Sequence, residues 1–501
     1  MDLAQGRQDQ LNVVIVGAGL VGCLEAIYLA RNGHRVTVYE KFKDPRTWGK
    51  GADRSLTLTL SPRGQTALRE VGLEARVLQQ GVLLKVRLIH NIQGNTTRSL
   101  YSDKGEGIYV VQRTQLNSLL IKEAVECYNI PIHFEHTFVG RQVKHSENGS
   151  DDEVYIMKDK EGKTVTDKAD LLIGADGAHS AVRHDLFLKK KLDLFKQQYH
   201  DHWYIEVVLP PGEDGKTLMD PDMLHVWPRG EYMLVTFPNL DNSYSGSLFL
   251  PPPVYQHVMS NETELLTFFR VQFPDVVKLV GEDYLKHYFF EKLVVSGKMR
   301  RPGRLIANQV QPYHSGDSVL LMGDAAHAIV PFYGMGMNSG FEDCWVLHQI
   351  FQKHGYSKGS GMAKFTASHE FETPCSTQTR FFIMSSCSEN LGQVLREFSN
   401  QRCKDGHAIC DMAYEHYALL SSKIAGVSYH IRKLMDDLLF KFFPQYWVPE
   451  FVMVTFTNKP FSECRKEAAR QKRVISQTLT AAVITFTVAL LAIFWRLWIR
   501  F

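Results

Sequence analysis

The 501-residue chain is 44% hydrophobic, 22% charged and 11% aromatic, a composition typical of a globular protein with two or three domains. This composition excludes a disordered or fibrous protein. The formal net charge of +3 is spread along the sequence, so nothing in the charge pattern indicates a nucleic-acid partner. The eight cysteines are scattered without a C-x-x-C pair, which argues against a disulfide framework and against a structural metal site.

The first predicted elements form a β-α-β unit with a glycine-rich turn. An apolar strand at residues 12–16 precedes the turn, and a helix at residues 23–31 follows it. The turn carries a G-x-G-x-x-G motif made of Gly17, Gly19 and Gly22. Such glycines permit a tight turn and let a pyrophosphate approach the backbone N–H groups at the helix start. A second strand at residues 35–39 ends at Glu40, whose carboxylate is expected to bind ribose hydroxyls. The motif does not separate FAD from NAD.

A second turn motif follows an apolar strand at residues 171–173. It contains Asp176 and Gly177, with Arg183 on the helix that comes next. Asp-Gly is common in tight turns after core strands, so the residues alone leave a binding role and a purely structural role equally open.

A third motif follows the strand predicted at residues 318–322. The strand ends at Gly323 and Asp324, where a carboxylate can bind a ribityl hydroxyl. A glycine-rich turn then opens a long helix, predicted to begin near Asn338. The positive end of that helix would stabilise negative charge at the N1/O2 edge of a reduced flavin. His327 lies inside this motif and is interpreted as structural rather than as an acid.

The C-terminal segment is the most apolar part of the sequence. Residues 474–495 contain no charged side chain, and basic residues flank them on both sides. At roughly 1.5 Å per residue, a helix of this length spans about 33 Å, enough for a bilayer core of about 30 Å. A buried C-terminal helix is the alternative. The basic flanks favour a transmembrane tail anchor.

The three motifs together, GAGLVG, GADG and GDAAHAIVPFYGMGMN, resemble those of the flavoprotein aromatic hydroxylases of the p-hydroxybenzoate hydroxylase type. Within that family the chain is most similar to the kynurenine hydroxylases. The similarity is carried by segments at residues 51–73, 86–95, 224–234, 340–344 and 442–456.

This resemblance implies an α/β fold in which a Rossmann-like FAD-binding domain contains an inserted antiparallel-sheet substrate domain. The predicted segments are an FAD-binding part with some pocket strands at 1–198, the substrate domain at 199–300, a second FAD-binding part at 301–355, a helical region at 356–473 and the transmembrane tail at 474–495. The resemblance also implies membrane attachment at the mitochondrial outer membrane, with the catalytic part facing the cytosol.

The cofactors implied are FAD and NADPH. No second nucleotide fingerprint is present, so NADPH is expected to bind without a domain of its own. The predicted FAD-binding residues are Gly17, Gly19, Val21, Gly22, Tyr39, Glu40, Lys41, Phe42, Arg54, Thr59, Arg113, Asp176, Gly177, Asp324, Gly336, Met337 and Asn338.

The substrate implied is a small aromatic amino acid whose carboxylate is held by Arg87 and Tyr101. An arginine fork suits a carboxylate, and a phenol adds a donor. The chain departs from the kynurenine hydroxylases where it has His416 and Phe451 in place of an Asn and a Tyr, and Met335 in place of a Gln. An imidazolium at His416 would make substrate affinity weaken above about pH 7.

The activity implied is conversion of L-kynurenine to 3-hydroxykynurenine. FAD reduced by NADPH reacts with O2 to form a C4a-hydroperoxide, which transfers oxygen to the ring. The protein then needs no catalytic residue or metal of its own, only a pocket that positions the ring and excludes water. Three alternatives stay open: a different aromatic amino-acid-like substrate, an uncoupled NADPH oxidase, or a partner-binding protein that keeps FAD as a structural element.

Overall fold

The computed structural model describes residues 10–47, 57–102, 105–145, 151–292, 294–295, 298–299, 302–356, 387–423 and 427–499. The strands are β1 (Asn12–Val16), β2 (Arg35–Tyr39), β3 (Thr57–Leu60), β4 (Val82–Leu84), β5 (Val86–His90), β6 (Thr96–Leu100), β7 (Ile108–Gln112), β8 (Ile132–His133), β9 (Thr137–His145), β10 (Asp151–Lys158), β11 (Thr164–Asp167), β12 (Leu171–Gly174), β13 (Leu194–Leu209), β14 (Met223–Arg229), β15 (Tyr232–Pro238), β16 (Tyr244–Leu250), β17 (Val294–Val295), β18 (Lys298–Met299), β19 (Gly303–Gln311), β20 (His314–Ser315) and β21 (Val319–Leu321).

The helices are α1 (Leu20–Arg31), α2 (Pro62–Glu70), α3 (Glu74–Leu78), α4 (Arg113–Lys122), α5 (Ala181–Leu188), α6 (Pro252–Val258), α7 (Glu262–Gln272), α8 (Pro274–Val280), α9 (Glu282–Lys286), α10 (Asp324–His327), α11 (Gly336–Lys353), α12 (Cys387–Ala418), α13 (Val427–Phe442), α14 (Glu450–Phe456) and α15 (Phe461–Trp498).

Among the described residues, a six-stranded sheet in the order β20-β21-β12-β1-β2-β8 carries the glycine motifs. All neighbouring pairs are parallel except β20 and β21. Strands β1 and β12 are buried on both faces, which explains why their sequences are apolar runs rather than alternating patterns. Because the carboxyl ends of parallel strands meet at one edge, the motifs that follow β1, β12 and β21 lie side by side. This confirms the predicted Rossmann-like arrangement.

A second, seven-stranded sheet has the order β19-β13-β16-β15-β14-β5-β6 within the described ranges. It is antiparallel except for the parallel pair β14 and β5. Side chains along its strands point alternately into two cores: Leu224 and Val226 belong to one apolar cluster, and Trp227 belongs to another. The first cluster includes residues of α12 and α14, and the second includes residues of α6 to α9. The sheet therefore presents one face to the C-terminal helices.

From α11 onward the described part of the chain is helical, as predicted. Helix α11 packs against α1 and α2, and α12 packs against β19, α11 and α15. In the part of the chain that the structure describes, no helix has a stretch that is both long and apolar enough to cross a membrane. The transmembrane tail predicted at residues 474–495 is therefore not confirmed.

Candidate active site

The first glycine motif forms a tight turn with one open side. Gly17 has a φ of +109°, and a Cβ there would collide with the backbone oxygen of Ala175. A Cβ on Gly22 would collide with the oxygen of Gly17, so α1 packs directly on the turn. A Cβ on Gly19 would meet nothing within 4 Å, and Gly19 is the N-cap residue directly before α1. The turn thus leaves space for a phosphate group at the helix N-terminus, which fits a dinucleotide.

Glu40, directly after β2, ties the turn to the segment that follows it. Its carboxylate accepts hydrogen bonds from the backbone N–H groups of Ala18, at 2.8 Å, and Phe42, at 2.9 Å. The ring of the neighbouring Tyr39 stacks on that of His133, and its hydroxyl donates to Asp167 at 3.0 Å. Tyr39 therefore supports the turn from behind. Lys41 and Phe42 are exposed beside it, with the Lys41 ammonium 4.9 Å from the centre of the Phe42 ring.

Asp176 has a structural role and one free oxygen. Its Oδ2 accepts from the backbone N–H groups of Ala181, at 2.6 Å, and Val182, at 3.2 Å, and so holds the start of α5. Its Oδ1 is buried without a hydrogen-bond partner among the described residues. Gly177, with a φ of +84°, lies next to it at an open position. Arg183 donates to the oxygen of Ala325 at 2.7 Å and so ties this motif to the third one.

Asp324 opens α10 at the end of β21. Its side chain is accessible, although protein atoms surround it closely enough to affect its pKa. Burial raises the pKa of the Asp324 carboxyl, and Arg113, His327 and Arg183 oppose this effect. Arg113, a predicted FAD-binding residue, is the first residue of α4 and lies close enough to the Gly-Asp turn to affect the pKa of Asp324.

The glycine-rich turn after Pro331 is fixed by Asn338. The Asn338 side chain is fully buried, donates to the oxygens of Thr59, at 2.8 Å, and Gly334, at 2.9 Å, and accepts from the N–H of Ser61 at 2.9 Å. The Thr59 hydroxyl also donates to Gly334, at 2.9 Å. Both side chains thus position the backbone. The groups left for a flavin are the first N–H groups of α11, which lack intrahelical partners.

Helix α11 begins at Gly336, two residues before the predicted start at Asn338. Met337, in its first turn, is half-buried. A Cβ on Gly323 or on Gly340 would collide with the side chain of Val21 on α1. Val21 therefore packs against both glycines and connects the first motif to α11. The remaining predicted cofactor residue, Arg54, lies outside the described residues.

The four predicted substrate residues meet in one place. Arg87 comes from β5, Tyr101 follows β6, His416 lies near the end of α12, and Phe451 lies on α14. The Arg87 guanidinium carbon is 5.2 Å from the centre of the Tyr101 ring and 5.3 Å from that of Phe451. The centres of the His416 and Phe451 rings are 6.3 Å apart. Four distant parts of the chain therefore come together in one cluster of side chains, which is called the substrate pocket below.

The polar atoms of this pocket are buried and unpaired. Arg87 Nε, the Tyr101 hydroxyl and His416 Nε2 have no hydrogen-bond partner among the described residues. Arg87 lies close enough to lower the pKa of Tyr101 against the larger, opposite effect of burial, but the two groups form no hydrogen bond of acceptable geometry. Each unsatisfied buried polar group costs about 1–3 kcal/mol. Three such groups side by side indicate a binding site for a polar, anionic group.

The protonation state predicted for His416 is wrong. Burial, and to a lesser extent the positive charge of Arg87, lower the pKa of His416 to about 3. The ring is therefore neutral at physiological pH and contributes no positive charge to the pocket. The sequence could not show this, because the pKa depends on the depth of the pocket and on Arg87.

Sequence reasoning missed Tyr333 as a pocket residue. Its ring centre is 4.2 Å from that of His416 and 6.0 Å from that of Phe451. Tyr333 directly precedes the glycine-rich turn, and this position in the sequence could have indicated that it lies near the flavin and the substrate. Met335, another residue that departs from the family pattern, is buried in the same apolar cluster as Tyr333. This places the pocket next to the N-terminus of α11, where the flavin is expected.

Comparisons with known proteins show which family the chain resembles. The model of the family described as "FAD binding domain" matches residues 10–228 and 282–363. Kynurenine 3-monooxygenase of Anopheles gambiae is 36% identical over 487 residues, which cover 97% of this chain and 90% of that protein. Kynurenine 3-monooxygenase of Sus scrofa is 32% identical over 473 residues, which cover 94% of this chain and 89% of that protein.

Solved structures share the fold at low identity. PqsL of P. aeruginosa has a TM-score of 0.59 and 17% identity, with 83% of this chain and 97% of that chain covered. The oxygenase acting on 2-methyl-3-hydroxypyridine-5-carboxylic acid has a TM-score of 0.58 and 16% identity, with 84% of this chain and 95% of that chain covered.

The parallel sheet, its three glycine motifs and the adjacent buried pocket define an FAD-binding flavoprotein monooxygenase. The open turn at Gly19 and the unpaired Oδ1 of Asp176 fit the phosphate and hydroxyl groups of that cofactor. With curated relatives at 32–36% identity over nearly its whole length, the chain belongs to the kynurenine 3-monooxygenase family.

Proposed function

We propose that the protein hydroxylates L-kynurenine to 3-hydroxykynurenine, using FAD, NADPH and O2. The observation that carries the proposal is the convergence of Arg87, Tyr101 and His416, each with an unpaired buried polar atom, on one pocket. A free amino acid with an aromatic side chain has the matching chemistry: a carboxylate for the polar end and a ring for the apolar walls.

The carboxylate is held by Arg87 and the Tyr101 hydroxyl. Both groups are donors, and an ionised acceptor gives the strongest hydrogen bonds with them. His416 is neutral and adds at most one donor without adding charge. Arg87 is therefore the pocket's cationic anchor, and its removal should affect binding more than any other substitution here.

The aromatic ring packs against apolar surfaces that Tyr333 and Phe451 provide. The rings of Tyr101 and Phe451 are nearly parallel, at 14° with centres 5.8 Å apart, and those of Tyr333 and Phe451 are at 16°. Such an aromatic cluster excludes water and fixes the plane of the substrate ring. Bound FAD supplies the two-electron chemistry that activates O2. The protein's contribution is to orient the ring and to keep the site dry.

NADPH is proposed as the electron donor because the sequence has one nucleotide fingerprint, which the FAD uses. NADPH then needs to bind only transiently, at the protein surface, to reduce the FAD. The direct test is NADPH consumption by purified protein with and without kynurenine, together with assays for 3-hydroxykynurenine and peroxide. Kynurenine should accelerate consumption and yield one hydroxylated product for each NADPH.

A different aromatic amino acid as substrate is the second candidate, and the replacements at His416 and Phe451 favour it. Tryptophan and formylkynurenine should be compared with kynurenine in the same assay. Faster consumption and coupled product with one of them would reassign the substrate. Peroxide formation at the same rate with every compound would instead identify an NADPH oxidase.

Attachment to the mitochondrial outer membrane by the C-terminal tail is also proposed. Two features support it: the uncharged run at residues 474–495, and exposed apolar side chains on α15, among them Phe486, Leu491 and Trp495. Cells expressing the full chain or a form ending at residue 473 should be fractionated and washed with carbonate. A full chain that stays in the soluble fraction would rule the anchor out.

A further inference from the structure

A buried charge network lies behind the flavin motifs, and Arg402 is at its centre. Arg402 projects from α12, outside the two segments that match the FAD binding domain family. Its Nε donates to Asp343 Oδ1 and its Nη1 to Glu342 Oε2, both at 2.7 Å. Its Nη2 lies 3.2 Å from both oxygens of Ser339. The guanidinium thus spans three residues of α11.

Asp343 connects Arg402 to the Gly-Asp motif through hydrogen bonds. Its Oδ2 accepts from the backbone N–H of Gly323 at 2.9 Å and lies 2.6 Å from His327 Nε2. The pKa of Asp343 is lowered although burial raises it, because His327 and Arg402 favour the carboxylate. Gly323 and His327 are the two ends of the turn that carries Asp324. One ionised side chain therefore fixes both ends of that turn.

Helix α12 also touches this turn directly, one helical turn after Arg402. A Cβ on Gly406 would collide with the Tyr313 hydroxyl and lie 3.0 Å from the Cβ of His327. One turn further on, Cys410 Sγ is 3.4 Å from the oxygen of Ala328. Arg402, Gly406 and Cys410 lie four residues apart and share one face of the helix. This close packing leaves little freedom for the Gly323–His327 turn.

We propose that Arg402 is a positioning residue for the FAD site. By holding Asp343, it fixes the turn from Gly323 to His327 and places the Asp324 carboxylate at the cofactor. The inference rests on FAD binding at this turn, as the proposed function requires. If Arg402 only stabilised the fold, its replacement would lower thermal stability and leave the affinity for FAD unchanged.

Arg63 provides a matched control within the same network. Its side chain is equally buried and pairs with Glu342, which Arg402 also contacts. Its Nη2 donates to the oxygens of Thr457, at 2.9 Å, and Lys459, at 2.7 Å. It therefore holds the segment between α14 and α15, and within the described residues it forms no hydrogen bond or ion pair with Asp343 or with the Gly323–His327 turn.

The experiment compares Arg402→Lys with Arg63→Lys in the full-length chain. Lysine keeps the charge but cannot reproduce a fork that reaches several acceptors. FAD is removed, then titrated back while flavin fluorescence is followed, and the thermal unfolding midpoint of each apoprotein is measured. Arg402→Lys should weaken FAD binding about tenfold or more, which corresponds to about 1.4 kcal/mol, and should shift the visible flavin spectrum. Arg63→Lys should lower the unfolding midpoint as much as Arg402→Lys does. It should change FAD affinity less than about threefold.

Equal effects of the two substitutions on FAD affinity, or no effect of Arg402→Lys, would overturn the proposal. If Arg402→Lys does not fold, Asp343→Asn and Glu342→Gln form a second pair with the same logic. Asp343→Asn should weaken FAD binding, Glu342→Gln should not, and the reverse order or equal losses would contradict the role of the Arg402–Asp343 contact. A wild-type chain that takes up no FAD would instead refute the proposed function, and the two failures are therefore distinguishable.

Discussion

The imidazole of His416 lies close enough to the guanidinium of Arg87 that the positive charge of Arg87, together with the larger effect of burial, lowers the pKa of His416 to about 3. Among the described residues, the pocket therefore holds one permanent cation, Arg87, and the neutral ring of His416. This arrangement decides how substrate binding should depend on pH.

Kynurenine affinity should not follow the titration of His416 at physiological pH. The ordinary pKa of the ring is 6.5 and its value in the pocket is about 3, so the ring is neutral throughout the range from about pH 6 to pH 8.5. The dissociation constant, measured by the change in flavin fluorescence, should vary less than about twofold over that range for both wild type and His416→Asn. A loss of affinity between pH 6 and 7 that is present in wild type and absent in His416→Asn would show that the ring is charged in the complex.

Replacing Arg87 should remove substrate recognition. Loss of a buried, charge-assisted pair costs on the order of 2–5 kcal/mol, or roughly a 30- to 4,000-fold weakening of kynurenine binding. Arg87→Lys should recover little of it, because an ammonium does not reproduce the fork. Arg98→Ala is the control: Arg98 lies on the adjacent strand β6, is two-thirds exposed and pairs weakly with Asp220 at 3.5 Å. Kynurenine-stimulated NADPH oxidation that survives Arg87→Ala would exclude this pocket as the kynurenine site.

Two glycine substitutions should separate cofactor binding from folding. A valine at position 19 meets no protein atom near its Cβ but enters the space where the pyrophosphate would lie, so FAD occupancy should fall while the apoprotein keeps its unfolding midpoint. Gly17→Val requires a side chain at a φ of +109° against the backbone of Ala175, so the fold itself should be destabilised. Absorbance at the flavin bands and thermal unfolding of each purified variant test both expectations. Full FAD occupancy in Gly19→Val would place the cofactor elsewhere.

Asp324→Ala should likewise lower FAD occupancy.

Glu25 should make the fold less stable as pH rises. This carboxyl is buried on α1, and burial raises its pKa from 4.5 to about 8, so between these values the folded state holds a proton that the unfolded state has lost. Stability therefore falls between about pH 4.5 and pH 8, by on the order of several kcal/mol. Glu25→Gln, which carries no charge in either state, should gain in unfolding midpoint relative to wild type as pH rises from 5 to 8. Glu161→Gln, at an exposed turn, should show no such trend. A constant difference between Glu25→Gln and wild type would mean that Glu25 is ionised in the fold.

The parts of the site that depend on local sequence could be predicted. The turn at Gly17, the strand ends before Asp176 and Asp324, and the glycine-rich start of α11 each combine a strand, a turn and a helix within a short segment. Parallel pairing then brings them together, so recognising each piece was enough to predict that the three motifs lie side by side.

The substrate side could not be read from patterns. Arg87 and His416 lie far apart in the chain, and only the resemblance to a family linked them; nothing around either residue indicates that they meet. Arg402 illustrates the same difficulty. In the sequence it reads as one more basic residue on a polar helix, and its burial follows from how α12 packs on α11. Burial likewise sets the charge of His416, and for this reason the predicted imidazolium was wrong.

The most direct measurement is the origin of the oxygen in the product. Purified protein with FAD, NADPH and kynurenine should be supplied with oxygen-18 gas, and the product should be analysed by mass spectrometry. The account predicts 3-hydroxykynurenine that carries one labelled oxygen atom, with NADPH consumed in equal amount. Unchanged kynurenine with NADPH consumed and peroxide formed, or a hydroxylated product whose oxygen comes from water, would contradict it.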